Sequence, residues 1–414
     1  METITLFLLI LLFGYLGTGL AVRKISGRNY IPTGVEYLLL GLLLSPALYG
    51  LIAQFVPILP KFPLNNSIME KLNPVIAGAT GFLGLFWGMK FNLVALLRSN
   101  REHVRVAFYD LLLNNILIGS VTFGILYYIF GGTTILVDII FASLSTAIMV
   151  SLPTPWVVRR LQKKFKLRGK LTDSMIAATS FSRSFSLLMF GLLFPVYHIL
   201  TRPGIFLTAT EFVALGFGIA IVLGILFFIF LGRETNSEKI IAGILGITLL
   251  GSGVGYYLGL SPLFLCFILG ILIGNLSSIR ERITNAVHGL ITPLSAVTVI
   301  FAGITWVVPE DYLIWVAVLL VPLIKLISKA ITHRISYAAA FDKESVFERQ
   351  GSVFLLNDIL VFALLVNYAT VFSNSMLSFV VNATFISAIV FSISASGVTK
   401  KFLVESDEIT GGVE

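Results

Sequence analysis

Charge is what this sequence has least of. Asp, Glu, Lys and Arg make up 12% of its 414 residues, while 57% are hydrophobic; a soluble domain carries about twice that charged share. An ordinary soluble protein is therefore excluded. Cysteine is nearly absent as well. The single thiol, Cys266, lies inside an apolar run, which rules out a disulfide framework or cysteine zinc site and makes it a small buried hydrophobe. Histidine is scarce: His103, His198, His288 and His333 fall near the ends of apolar runs without HxxxH or HExxH spacing, so no metal site is expected. A glycine-rich nucleotide loop, a serine-nucleophile motif and paired acid–base groups are missing too, so neither an enzyme nor a bound cofactor is expected. The glycines of GILGITLLGSGVG, residues 243–255, read as close helix packing.

What the chain has is apolar runs of about 20 residues, the length an α-helix needs to cross the hydrocarbon of a bilayer. They recur from Thr3 to Val398. The ten-residue alternation of a membrane β-barrel is absent, which leaves an all-α polytopic membrane protein. Thirteen spans are predicted, near 3–22, 31–57, 73–97, 104–130, 133–156, 172–197, 209–231, 239–258, 261–277, 287–308, 312–333, 346–370 and 376–398.

Basic residues orient these spans, because Lys and Arg of short loops stay cytoplasmic. The loops after odd-numbered spans hold twenty-three, among them Arg23, Lys24, Arg159, Arg160, Lys329 and Lys400, whereas the opposite loops hold three, Lys61, Lys71 and Arg202. The expected topology has the N-terminus outside, the C-terminus cytoplasmic and an odd number of crossings. The net charge of +8 is thus a topology signal, and no nucleic-acid partner is implied. The first span, followed at once by Arg23-Lys24, is expected to stay in the mature protein. The basic loop RRLQKKFKLRGK, residues 159–170, reads as the strongest topology determinant, with contact to anionic lipid as the alternative.

Ionisable residues inside a membrane are costly and mark functional sites by default. Glu36, Asp110, Asp138, Asp173 and Glu211 lie within about two turns of a span end, where water can reach them. Arg183, Lys325 and Asp358 each lie roughly a dozen residues in, near mid-bilayer at 1.5 Å per residue. A pairing of Asp358 with Arg183 or Lys325 is expected, since an unpaired charge there would neutralise or draw in water. The three sum to +1. Helix-breaking chemistry lies at the same level. Span 5 carries Ser143, Ser145 and Thr146 ahead of Pro153 and Pro155, and span 12 carries Gly351, Asn357 and Asp358. Two antiparallel broken helices meeting at mid-membrane are the arrangement of inverted-repeat transporters.

Four stretches, in order along the chain, resemble motifs of the cation:proton antiporter superfamily, in particular its bacterial potassium-efflux and sodium/proton antiporter branch. They are Ile31-Pro32-Thr33-Gly34 through Gly41 to Ser45-Pro46, Gly84-Leu85-Phe86-Trp87-Gly88, Ala142-Ser143-Leu144-Ser145-Thr146-Ala147-Ile148, and Leu258-Gly259-Leu260-Ser261 with Gly270-Ile271-Leu272-Ile273-Gly274-Asn275. The resemblance implies an inverted-repeat antiporter fold of about thirteen transmembrane helices with two broken crossing helices. It divides the chain into a dimerisation bundle (residues 1–100 and 236–309), a core transport bundle (101–200 and 310–400), a linker helix (201–235) and a short cytoplasmic tail (401–414). It further implies a homodimer in a bacterial-type inner membrane that moves a small inorganic ion against protons. Lys325 matches the basic residue before the family's second broken helix, and Asp358 matches an acidic residue on it.

Span 6 departs from the pattern. Where the family carries its cation-binding Asp, this chain reads Phe181-Ser182-Arg183-Ser184, and Lys90 and Asn92 stand where acids are usual. An arginine cannot alternate between a cation and a proton. Three alternatives follow: Asp358 has taken over the exchange, the cationic pocket binds an anion, or the protein is a transport-inactive subunit that scaffolds or regulates an unidentified partner chain. The expected ion-binding residues are Arg183, Asp358, Lys325, Thr146, Ser182, Ser145 and Asn357.

Overall fold

The computed structural model describes residues 35–55, 66–91, 93, 101–131, 136–153, 158–159, 162, 170–201, 208–232, 234, 236–277, 280–309, 311–340, 360–372 and 376–405. Within them the chain forms α1 (Val35–Leu43), α2 (Pro46–Phe55), α3 (Asn66–Lys90), α4 (Arg101–Phe130), α5 (Leu136–Ser151), α6 (Lys170–Thr201), α7 (Ala209–Leu231), α8 (Ser237–Leu258), α9 (Pro262–Leu276), α10 (Arg280–Ile304), α11 (Tyr312–Ala340), α12 (Leu360–Val371) and α13 (Leu377–Glu405). Seven of these are long and apolar enough to cross a membrane, or eight if the bent pair α1–α2 is one span. The protein is an all-helical integral membrane protein. The predicted first span, residues 3–22, lies outside the described residues.

Local chemistry sets the breaks. Residues 31–57 were expected as one span, yet the axis bends by 56° between α1 and α2. Proline cannot donate to the preceding turn and disfavours a helical residue before it, so α1 stops ahead of Pro46. The Ser45 hydroxyl then accepts from Ala47 N at 3.2 Å. Span 5 ends as α5 at Ser151, two residues before Pro153. Its hydroxyls do not interrupt it, because Thr146 Oγ1 donates to its own helix at Ala142 O, 2.8 Å away. At the α8–α9 corner, Gly259 adopts φ 71°, a left-handed conformation that glycine enters without penalty. Ser261 then caps α9 by accepting from Phe264 N at 3.1 Å, with Pro262 in the first turn.

Thr208 opens α7 through a capping box, its hydroxyl accepting from Glu211 N while the Glu211 carboxylate accepts from Thr208 N at 2.7 Å. Thr208→Ala will cost about 1 kcal/mol, measured as a lower melting temperature of the purified protein in detergent.

Two compact units divide the chain. One comprises Met1–Asn92, Phe190–Val308 and Phe362–Ser373; the other comprises Leu93–Met189, Pro309–Val361 and Asn374–Glu414. In the first unit, α3 packs against α8, α9 and α10, α1 lies on α10, and α7 lies on α8 and α9. Its closest approaches use glycine. A Cβ on Gly84 or Gly88 of α3 would stand 2.2 Å from Leu263 O or 2.1 Å from Phe267 O, and one on Gly270 of α9 would stand 2.1 Å from Leu85 O. The 243–255 glycines are mixed: Gly251 and Gly255 meet neighbours, whereas Gly246 and Gly253 face open space.

In the second unit, α4, α5, α13 and α11 form a closed ring in which each helix packs on the next. Its interior is unlike that of the first unit, because the acidic and basic side chains buried among the described residues, Asp110, Arg183, Lys325, Lys329 and His333, all belong to it.

Candidate functional site

The site is built on α4 and α11. In α11 the polar residues Lys325, Ser328, Lys329, Thr332 and Ser336 recur at three- and four-residue steps, one face of a 3.6-residue helix, and all are buried. In α4, Asp110 and Asn114 stand one turn apart. Lys329 Nζ donates to Asp110 Oδ2 in an ion pair whose side chains are 4% and 1% exposed. Thr332 Oγ1 donates to Asp110 Oδ1 at 3.0 Å, and Ser328 Oγ donates to Asn114 Oδ1 at 2.6 Å. Contacts that advance along α4 retreat along α11, so the two helices run antiparallel. Lys325 therefore lies one turn beyond the Lys329 ion pair, abreast of the turn of α4 that follows Asn114.

The other two helices of the ring extend this network. Asn115, on the adjacent face of α4, accepts from Ser151 Oγ of α5 at 2.7 Å. Lys325, fully buried, holds its ammonium 4.3 Å from the centroid of the Phe391 ring on α13, a cation–π contact that a desolvated lysine favours. Thr384 and Ser387 of α13 are buried as well.

The expected site residues are distributed unevenly over this arrangement. Lys325 is in the ring, as are Ser145 and Thr146 of α5, both wholly buried. Ser145 Oγ has no hydrogen-bond partner, whereas Thr146 is satisfied within its own helix. Ser182 of α6 donates to Ala107 O of α4 at 3.3 Å, and beside it Phe108 meets the Phe181 and Phe185 rings at 6.5 and 5.3 Å. Arg183, 8% exposed, follows on the same helix, so α6 presents it next to the α4 contact. Asn357 and Asp358 lie outside the described residues.

Two expectations need correction. Asp110 was expected within reach of water near a span end; it sits inside α4, nine residues from Arg101, and is buried against Lys329. Lys329 was counted as a loop residue, but α11 runs on to Ala340 and carries it in the bundle. The missed members of the site are therefore Asp110, Asn114, Asn115, Ser328, Lys329 and Thr332. Their signal was present as the polar stripe of span 11 and the Asp110/Asn114 spacing of span 4. It was hidden because Lys329, four residues from the end of span 11, was counted with the basic loop residues.

No protein-family model matches the chain, and no curated protein matches it in sequence. Among solved structures it is similar to the sodium proton antiporter MjNhaP1 from Methanocaldococcus jannaschii, with a TM-score of 0.69 over 99% of both chains at 14% identity. The chain therefore has a cation:proton antiporter-like fold. At that identity the likeness speaks for the architecture, and function rests on the site.

Proposed function

We propose that the protein is a secondary active transporter that exchanges a small ion against protons. The observation that supports this is the buried charge in the α4–α5–α11–α13 ring: an ion pair, a further lysine and a set of hydroxyls enclosed in membrane helices on an antiporter-like fold. Such groups are retained inside membranes where ions pass. The unit that contains them is the transport core. The other unit, tied together by backbone contacts at Gly84, Gly88 and Gly270, is the scaffold, against which the core moves. In this reading the basic loops lie in the cytoplasm together with the C-terminus, and the family resemblance implies a homodimer in an inner membrane.

Within this reading Lys325, Arg183, Ser145, Thr146 and Ser182 bind the ion together with Asn357 and Asp358, and Asp110–Lys329 holds the core in register. The test is reconstitution in liposomes with an internal pH dye and an imposed proton gradient, into which Na⁺, K⁺, Li⁺ and then a panel of anions are introduced at matched ionic strength. Ion-evoked proton movement is expected. Arg183→Ala should reduce it at least tenfold while the protein remains folded and monodisperse. Silence under every ion, from protein shown to be folded, would sink the transporter reading and leave a transport-inactive membrane subunit.

A further inference from the structure

Two amide donors are left over in the core. Asp110 uses Oδ2 on Lys329 and Oδ1 on Thr332, Asn114 uses Oδ1 on Ser328, and Asn115 uses Oδ1 on Ser151. Each carboxylate and carboxamide oxygen of the network thus accepts one hydrogen bond. Both carboxamide nitrogens, Asn114 Nδ2 and Asn115 Nδ2, are buried with no acceptor. The 2.6 Å Ser328–Asn114 separation is that of an O–H···O bond and short for N–H···O, and Asn115 likewise turns its oxygen to Ser151. Ser145, Ser336, Thr384 and Ser387 add buried hydroxyls without partners, each able to donate.

A dehydrated cation needs oxygen lone pairs, and the carboxylate and carboxamide oxygens of this network each already accept a hydrogen bond from a neighbouring side chain. An anion needs N–H and O–H donors within a positive field. The amide N–H donors remain, and basic side chains outnumber acidic ones: Arg183, Lys325 and Lys329 are buried among the described residues, with one buried carboxylate, Asp110. Buried donors without acceptors are costly, so a ligand that accepts from them relieves that cost on binding.

We propose that this core binds a small monovalent inorganic anion, held by the Asn114 and Asn115 carboxamide N–H groups in the field of Lys325 and Lys329. This rests on the transporter reading and gives its ion a class.

The test is made on the full-length protein purified in detergent, by thermal unfolding and calorimetric titration. Sodium chloride, nitrate and bicarbonate are compared with sodium gluconate at fixed Na⁺ and ionic strength, and lithium, sodium and potassium are compared at fixed chloride. Stabilisation should follow the anion and be indifferent to the cation. Asn114→Asp, which turns the donor into a carboxylate, should weaken anion binding at least tenfold; if that variant is not monodisperse, Asn115→Leu serves in its place and should show the same loss. Stabilisation that follows the cation would overturn the inference. So would an absence of any ion effect, which would assign the free donors to water only. The liposome assay separates the two proposals: anion binding without flux defeats the transporter reading alone, and cation-evoked flux without anion binding defeats the anion alone.

Discussion

Asp110→Ala will destabilise the protein by about 3–5 kcal/mol, the cost of leaving the charge of a broken buried pair uncompensated. Lys329 is 4% exposed and its partner 1%, so water cannot replace the lost carboxylate without entry into the bundle. Thr332 loses its acceptor in the same substitution. Lys329→Ala should cost a similar amount, because it strands the carboxylate instead. The pair Asp110→Leu with Lys329→Met should recover most of the loss, since a buried ion pair replaced by apolar groups is often neutral or stabilising. Melting curves of the wild type, Asp110→Leu, Lys329→Met and this double variant in one detergent form a double-mutant cycle with a large coupling term. Independent, additive losses would show that the two residues are not paired in the folded protein. If the pair also takes part in transport, the double variant will be stable and will not support flux.

The second large effect is expected in the other unit. Gly88→Ala and Gly270→Ala should each cost about 3 kcal/mol, the upper end of overpacking losses. Their Cβ atoms would stand 2.1 Å from Phe267 O and Leu85 O, and a helix carbonyl cannot swing away as a side-chain tip can. The whole of α3 must therefore retreat from α9. The same close approach is made by Gly41 on α1, whose Cβ would meet Ile300 O of α10 at 2.1 Å. Gly246→Ala is the control. Nothing lies within 4 Å of its Cβ, so helix propensity alone acts, and it favours alanine by about 1 kcal/mol. Thermal unfolding of the three variants should show two large losses and one small gain. Equal effects at all three positions would mean that α3 and α9 are not in backbone contact. Since Gly88 and Gly270 face one another, the double variant should lose less than the sum of its parts.

Both effects bear on how far the sequence could be read. The spans were legible because membrane helices announce themselves by length and apolarity alone: α7 covers Ala209–Leu231, where hydropathy placed it at 209–231. The break after Ser151 was legible from Pro153, since proline acts on its immediate neighbours. The bend at Ser45-Pro46 was not, although a proline causes it too, because the apolar run continues through it and supplies no punctuation.

The site was legible in part. Lys325 and Arg183 were chosen by their depth, roughly a dozen residues into their spans, and Arg183 also by a departure from a motif. Asp110 and Lys329 were passed over because distance from a span end was taken as access to water, a rule that fails when a partner helix supplies the opposite charge. Whether an ionisable group near a helix end is solvated or paired depends on what lies across from it, which hydropathy does not record.

The sequence by itself determined that this is a helical membrane protein, where most of its helices run and which of its residues were too costly to bury without purpose, because those follow from transfer free energies summed along one chain. Tertiary structure alone decided that Asp110 faces Lys329, that Asn114 and Asn115 spend their oxygens on Ser328 and Ser151, and that Gly88 faces Gly270. Each of these is a meeting of residues far apart in the chain, fixed by helix register and packing that no local property of either partner contains.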